Sequence, residues 1–200
     1  MGSVSSLIPD ENQIKDIQEE TGLSKEQLQR LNSRFIALDK QSEGSLRRED
    51  LERIPELYVN PVSQFLLDAF FRDRNEINFL EFVKFLATFR PVDEGRPTSI
   101  NRREAKLRFL FDMYDLDRDG VISVDEVHRM LEELLGRHGR PDQVLSIARR
   151  IVHEAALDYA AANGVAEMPS GGQIDSIDFP AFEHAMRNVS DHQLSICFLS

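Results

Sequence analysis

The chain has no tryptophan and one cysteine, Cys197, among its 200 residues. A single thiol excludes an intramolecular disulfide framework and suits a reducing compartment. No secretory leader is recognisable at the N-terminus, and no apolar run approaches the ~20 residues that a membrane-spanning helix needs. Cations are scarce too: 24 Lys and Arg stand against 35 Asp and Glu, for a net charge of −11. That balance excludes nucleic acid as an expected partner and favours a cation or a basic segment. Catalytic signatures are missing as well. There is no phosphate loop, no G-x-S-x-G and no cysteine–histidine pairing. The histidines, His128, His138, His153, His184 and His192, are scattered. His153-Glu154 begins a zincin-like word, but Leu157 stands where its second histidine belongs. The chain is not expected to be an enzyme, and the histidines are expected on exposed helix surfaces.

What is present is organised around D-L-D-R-D-G-V-I-S-V-D-E, from Asp115 to Glu126. Asp115, Asp117 and Asp119 fall at positions 1, 3 and 5 of an EF-hand calcium loop, Gly120 at 6, Ser123 at 9 and Glu126 at 12. A hard cation wants six to eight oxygens, and three alternate carboxylates on one tight turn supply the first of them. Val121 at position 7 gives its backbone carbonyl, so an apolar side chain is admissible there. Ser123 acts through water, and Glu126 on the first turn of the next helix can give two oxygens. Ile122 at position 8 fits the short strand through which two such loops pair. This loop is expected to hold one calcium ion, with magnesium as a competitor for the same oxygens.

Three more loops have the outline without the ligands. In Asp39 to Asp50, position 3 is Gln41, position 5 is the long Glu43, position 9 is Arg47, and Asp50 at 12 is one carbon short. That loop is expected to be retained for packing. Ile77-Asn78-Phe79 and Glu81 mark positions 8 to 10 and 12 of another loop, which begins at Phe70 and carries Arg72 and Arg74 at 3 and 5. No cation is expected there. Ile177-Asp178-Phe179 mark the last, where Ala181 replaces the position-12 acid and the segment from Tyr159 to Asp175 stretches the approach. Helical spacing surrounds these loops: Ile14 and Ile17; a Ser24/Gln27 capping box before Leu28, Leu31 and Phe35; Pro61 on the first turn of a helix carrying Phe65 and Phe70. The expected fold is all-α: two lobes of paired helix–loop–helix units with short β-pairing between loops. The boundaries are an N-terminal lipidated arm and helix over 1–23, a first lobe over 24–89, a linker over 90–103, a second lobe over 104–190 and a tail over 191–200. Part of the Phe and Met face is expected to line a groove for an amphipathic helix.

The termini carry lipidation words. M-G-S-V-S-S matches the myristoylation signal with Gly2 as acceptor, although Met-Gly-Ser is also a common vector remnant. Cys197-Phe198-Leu199-Ser200 fits the C-a-a-X word, for which a terminal serine favours farnesyl at Cys197. No polybasic stretch precedes it.

Taken together, L-D-K at 38, E-D-L-E-R-I-P-E-L from 49, A-F-F at 69, I-N-F-L-E-F from 77 and K-L-R-F-L-F-D-M-Y-D from 106 resemble the calcineurin B homologous protein family. The resemblance runs nearly end to end and leans towards its tescalcin branch, through K-L-R-F-L-F, E-E-L-L and the long fourth hand. It implies a myristoylated, non-enzymatic calcium-binding protein that holds an amphipathic juxtamembrane helix of a plasma-membrane sodium/proton exchanger. Support for that exchanger's maturation, surface stability and pH sensitivity is implied with it. The alternative it carries is a calcineurin B-like regulatory protein, or an inhibitor, acting on calcineurin A. By position, it implies a metal site of Asp115, Asp117, Asp119, Val121, Ser123 and Glu126, and a lipid site at Gly2. Localisation would be cytoplasmic and peripheral at the plasma membrane, with nuclear shuttling left open. Cys197 departs from the family pattern, which places a basic residue there in a tail that packs inwards.

Overall fold

The computed structural model describes residues 11–72, 74–90, 98, 100–136, 139–164 and 174–196. Gly2, Cys197 and most of the expected linker lie outside them. The chain opens with α1 (Glu11–Thr21) and α2 (Lys25–Leu38), then β1 (Ser45–Arg47), α3 (Arg48–Glu52), α4 (Pro55–Tyr58) and α5 (Ser63–Phe71). It continues with β2 (Glu76–Asn78), α6 (Phe79–Thr88), α7 (Arg103–Tyr114), β3 (Val121–Ser123) and α8 (Val124–Leu135). The last elements are α9 (Pro141–Ala162), β4 (Ser176–Asp178), α10 (Phe179–Ala185) and α11 (Asp191–Ile196). The architecture is all-α, with short strands only at the loops. Among the described residues no helix is long and apolar enough to cross a membrane.

The strands pair as the position-8 residues require. β1 runs antiparallel to β2 with Leu46 opposite Ile77, and β3 to β4 with Ile122 opposite Ile177. Each three-residue strand points its central side chain inwards, and all four central residues are buried. A two-stranded ribbon this short is not stable alone, so its persistence rests on the helices that flank it.

Local signals fix the helix ends. Ser24 and Gln27 close the expected capping box: Gln27 N–H donates to Ser24 Oγ at 3.2 Å, and Ser24 N–H to Gln27 Oε1 at 2.8 Å. Gly136, at φ 53°, ends α8, and Pro141 opens α9. Two boundaries differ from the sequence reading. A turn at Pro61 precedes α5, which starts only at Ser63. Ala160 to Ala162, expected in the irregular stretch, complete α9, since alanine favours helix and Ala160 is buried.

Contacts divide the chain into two units. One comprises Met1–Asn60, Phe70–Lys106 and Asp191–Ser200, the other Pro61–Ala69 and Leu107–Ser190. The partition does not follow a boundary at 90–103, because Pro61–Ala69 and Asp191–Ser200 each join the unit that is distant in sequence. In the first unit Phe35 is fully buried, with edge-on contacts to Phe79 at 5.5 Å and Phe82 at 5.6 Å. Beside it Ile17, Leu23, Leu28, Val83 and Ala87 form an apolar cluster. This unit also buries Lys106, whose ammonium donates to the Arg90 carbonyl at 2.8 Å. In the second, Phe111 takes the corresponding place between Phe179 and Phe182, at 5.5 and 5.6 Å. The Arg108 guanidinium lies 3.4 Å from the Phe179 ring centroid. The two units repeat one plan.

Candidate metal centre

Asp115 follows the last residue of α7, and Glu126 sits on the first turn of α8, so the loop between them joins two rigid elements. Tight folding requires the left-handed conformations of Arg118, at φ 63°, and Gly120, at φ 88°. Backbone donors hold the position-1 carboxylate: Asp119 N–H donates to Asp115 Oδ1 and Gly120 N–H to Oδ2, both at 3.1 Å. At position 12, Glu126 Oε1 accepts from Leu116 N–H at 2.7 Å, and Oε2 from Ser123 N–H at 2.7 Å and Ser123 Oγ at 2.8 Å. Glu126 N–H donates back to Ser123 Oγ at 3.3 Å. The position-12 acid is therefore also the third residue of a capping box, and one side chain serves both the helix start and the loop.

Asp115, Asp117 and Glu126 each bring an oxygen within 4.8 Å of the others, and they form the one such acidic group among the described residues. Two oxygens bound to one calcium at 2.3–2.6 Å can be at most about 5 Å apart, so this spacing suits a shared ion. Asp115 and Glu126 are buried, whereas Asp117 is exposed. Burial raises the Asp115 pKa above its ordinary value. The Gly120 N–H opposes that shift, and the Glu126 and Asp119 carboxylates add to it. Two buried, mutually repelling carboxylates form a donor set that a divalent cation fits, because its charge removes the cost of keeping both ionised. Asp119 is not part of that group; its Oδ1 accepts from Val121 N–H at 2.9 Å.

Loop 39–50 has the same local fold. Ser42 and Gly44, at φ 55° and 80°, repeat the conformations of Arg118 and Gly120. Asp39 accepts from Glu43 N–H at 3.1 Å and Gly44 N–H at 2.8 Å, and Asp50 from Arg47 N–H at 2.9 Å. Both acids are buried. Their hydrogen bonds account for their presence without a metal, while Arg47 pairs with Glu43 at 2.6 Å. In the next loop Arg74 pairs with Glu81, whose other oxygen accepts from Asn78 N–H at 2.9 Å. A guanidinium sits beside the position-12 acid there. In the last hand Asp178 caps α10 by accepting from Ala181 N–H at 3.0 Å, with no acid at position 12. Two hydrogen-bonding features lay outside the sequence reading: the second role of the position-12 acids, and the Val124 N–H to Asp175 carbonyl bond at 2.8 Å, which extends the β3–β4 ladder. Helical spacing left the histidines undifferentiated. His153 and His192 are exposed as expected, but His128 and His184 are half-buried.

The EF-hand domain family matches residues 106–136, which enclose this loop. The chain is 36% identical to calcineurin B homologous protein 3 of Gallus gallus, over 81% of this chain and 78% of the relative. It is 34% identical to calcineurin B homologous protein 3 of Homo sapiens, over 74% of each chain. The type 2 calcineurin B protein of Dictyostelium discoideum, a calcineurin regulatory chain, is 31% identical over 93% of this chain and 92% of its own. Such coverage takes in both units rather than one loop. This is a calcium-binding regulatory EF-hand protein, and the chain belongs to the calcineurin B homologous protein family.

Proposed function

We propose that the chain is a regulatory subunit that grips an amphipathic juxtamembrane helix of a plasma-membrane sodium/proton exchanger. In that role it supports the exchanger's maturation, surface stability and pH response. It acts at the cytoplasmic face of the membrane, with Gly2 myristoylated and one calcium held by Asp115, Asp117, Asp119, Val121, Ser123 and Glu126. The observation that carries the helix-gripping part is apolar surface left on adjoining helices. Leu134 and Leu135 end α8 exposed, and Ile147 and Ile151, one turn apart on α9, are also exposed, although α8 and α9 pack together. An amphipathic helix presents apolar side chains at the same one-turn spacing. Because Asp115 ends α7 and Glu126 opens α8, whatever holds those carboxylates together fixes the angle between the two helices. Calcium supplies the positive charge that lets both stay ionised.

A second reading, a regulator or inhibitor binding calcineurin A, is favoured by one observation: similarity to a calcineurin B protein over nearly the whole chain. Titration with a fluorescent exchanger juxtamembrane peptide, in calcium and then in chelator, separates the two. A calcineurin A helix serves as competitor. The first reading expects binding of the exchanger peptide at submicromolar concentration. Binding of the calcineurin A helix alone moves the function to the second.

A further inference from the structure

In the first unit a cavity of about 330 Å³ opens where the end of α2 meets the α3–α4 turn. Three cations line it, Arg34, Lys40 and Arg53, against one carboxylate, Asp50, with Leu38 and Ile54 as apolar lining. Asp50 is already engaged, since it accepts from Arg47 N–H at 2.9 Å and faces Arg53 at 3.6 Å. Arg34 and Lys40 make no ion pair among the described residues, and both are exposed. Next to the cavity, just beyond the Pro55 that also lines it, Tyr58 is 82% and Val59 75% exposed. On a chain of net charge −11, three cations gathered round a cavity beside two protruding apolar side chains run against the molecule's overall field. Cations at the end of α2 also complement its dipole. That accounts for Arg34 and Lys40, but not for Arg53 or for the exposed Tyr58 and Val59.

We propose that this cavity is a headgroup site for a phosphoinositide. Arg34, Lys40 and Arg53 hold its phosphate groups while Tyr58 and Val59 enter the membrane interface. Guanidinium groups bind phosphate through paired N–H donors, and lysine adds a point charge. A cavity at the lower end of the about 300–1,000 Å³ usual for small ligands takes one inositol phosphate. Tyrosine is suited to the headgroup layer, where its ring is shielded and its hydroxyl is wet. A multiply charged headgroup fits three clustered cations better than a serine headgroup does. The site adds to the acyl anchor of the proposed function but does not depend on it.

The test therefore uses the full chain carrying Gly2→Ala, so that failed acylation and a failed headgroup site give different results. Sedimentation with vesicles of phosphatidylcholine alone, with phosphatidylinositol 4,5-bisphosphate, or with phosphatidylserine at matched charge reads the wild-type preference without further variants. Binding is expected on the phosphoinositide vesicles only, and equally in calcium and in chelator. Arg34→Gln with Lys40→Gln should weaken it about five-fold per cation removed. Arg129→Gln with Arg149→Gln, two cations elsewhere on the chain, should leave it unchanged. Equal binding to phosphatidylserine, a strict calcium requirement, or equal loss in the control pair would overturn the site. So would capture of soluble inositol trisphosphate, inorganic phosphate or a phosphopeptide with no binding to vesicles.

Discussion

Replacing Glu126 by glutamine tests the metal centre, because it removes one charge and almost no volume. Without calcium the cost comes from hydrogen bonding. Both carboxylate oxygens accept backbone N–H groups at 2.7 Å, from Leu116 and from Ser123. A side-chain amide has one acceptor oxygen, so whichever way it turns, its NH₂ meets one of those donors. Losing one hydrogen bond to a charged group costs about 1.5–3 kcal/mol. Relief of the repulsion that Glu126 exerts on Asp115 offsets part of this. The net loss should be about 1–2 kcal/mol, or a fall of a few degrees in Tm at about 2–4 °C per kcal/mol for a chain of this length. With calcium the contrast widens. Free calcium at a thousand times the wild-type Kd stabilises the native state by about 4 kcal/mol, which raises Tm by roughly 8–16 °C. At that same calcium concentration the variant should rise by less than about 2 °C, because its position-12 ligand can no longer give two charged oxygens. Thermal unfolding followed by circular dichroism, in chelator and in buffered calcium, measures all four values. Asp50→Asn is the matched control and should keep the full calcium shift. A wild-type calcium shift in Glu126→Gln would place the ion elsewhere and refute the assignment.

Asp115 gives a prediction of opposite sign in pH. Its pKa is raised in the folded chain, so that group's contribution to stability is complete below the ordinary Asp value of about 3.9 and is lost as pH rises towards the folded one. In calcium-free buffer, Asp115→Asn should therefore gain on wild type as pH rises through that window. Urea unfolding at several pH values checks it, and a parallel dependence for both chains would refute it. Arg74→Ala should cost less than about 1 kcal/mol, because its pair with Glu81 is surface-exposed, and calorimetry should still count one calcium per chain. A second calcium would show that the guanidinium had been excluding one. Phe35→Ala should destabilise the chain by about 3–5 kcal/mol, since the ring is fully buried between two others. A loss below about 1 kcal/mol in chemical denaturation would contradict that packing.

The local parts of this molecule were legible because they depend on local rules. The period of the loops placed Leu46, Ile77, Ile122 and Ile177 at position 8, and the strands pair at those residues. The capping box at Ser24 and the proline at the start of α9 were readable for the same reason. Of the metal site, the sequence set the ligand order, and the fold brings Asp115, Asp117 and Glu126 together. What it could not supply was tertiary. Nothing in the spacing of Phe65, Leu66 and Leu67 says that the segment Pro61–Ala69 belongs with the second unit rather than with its sequence neighbours. Nor could spacing show that Asp39 and Asp50 are explained by backbone donors. An acid that accepts two N–H groups and an acid that holds a cation occupy the same positions in a sequence.

That ambiguity shows how four similar loops come to hold one metal. In every hand the residue at position 9 or 12 has a second task, starting the following helix. Asp50, Glu81, Glu126 and Asp178 each accept a backbone N–H at that point. A hand can therefore lose its calcium ligands and still keep its helix start and its strand. Where ligands are missing, fixed cations stand in the loops instead: Arg47 against Glu43, and Arg74 against Glu81. A covalently attached cation balances the acid at all calcium concentrations, so those loops have no charge left for calcium to compensate. In loop 115–126 the one internal arginine, Arg118, adopts positive φ, and Asp115 and Glu126 are left facing each other. Calcium sensitivity is thereby confined to the junction of α7 and α8. The β3–β4 ladder and the Val124–Asp175 bond are the links by which it reaches the metal-free hand beside it.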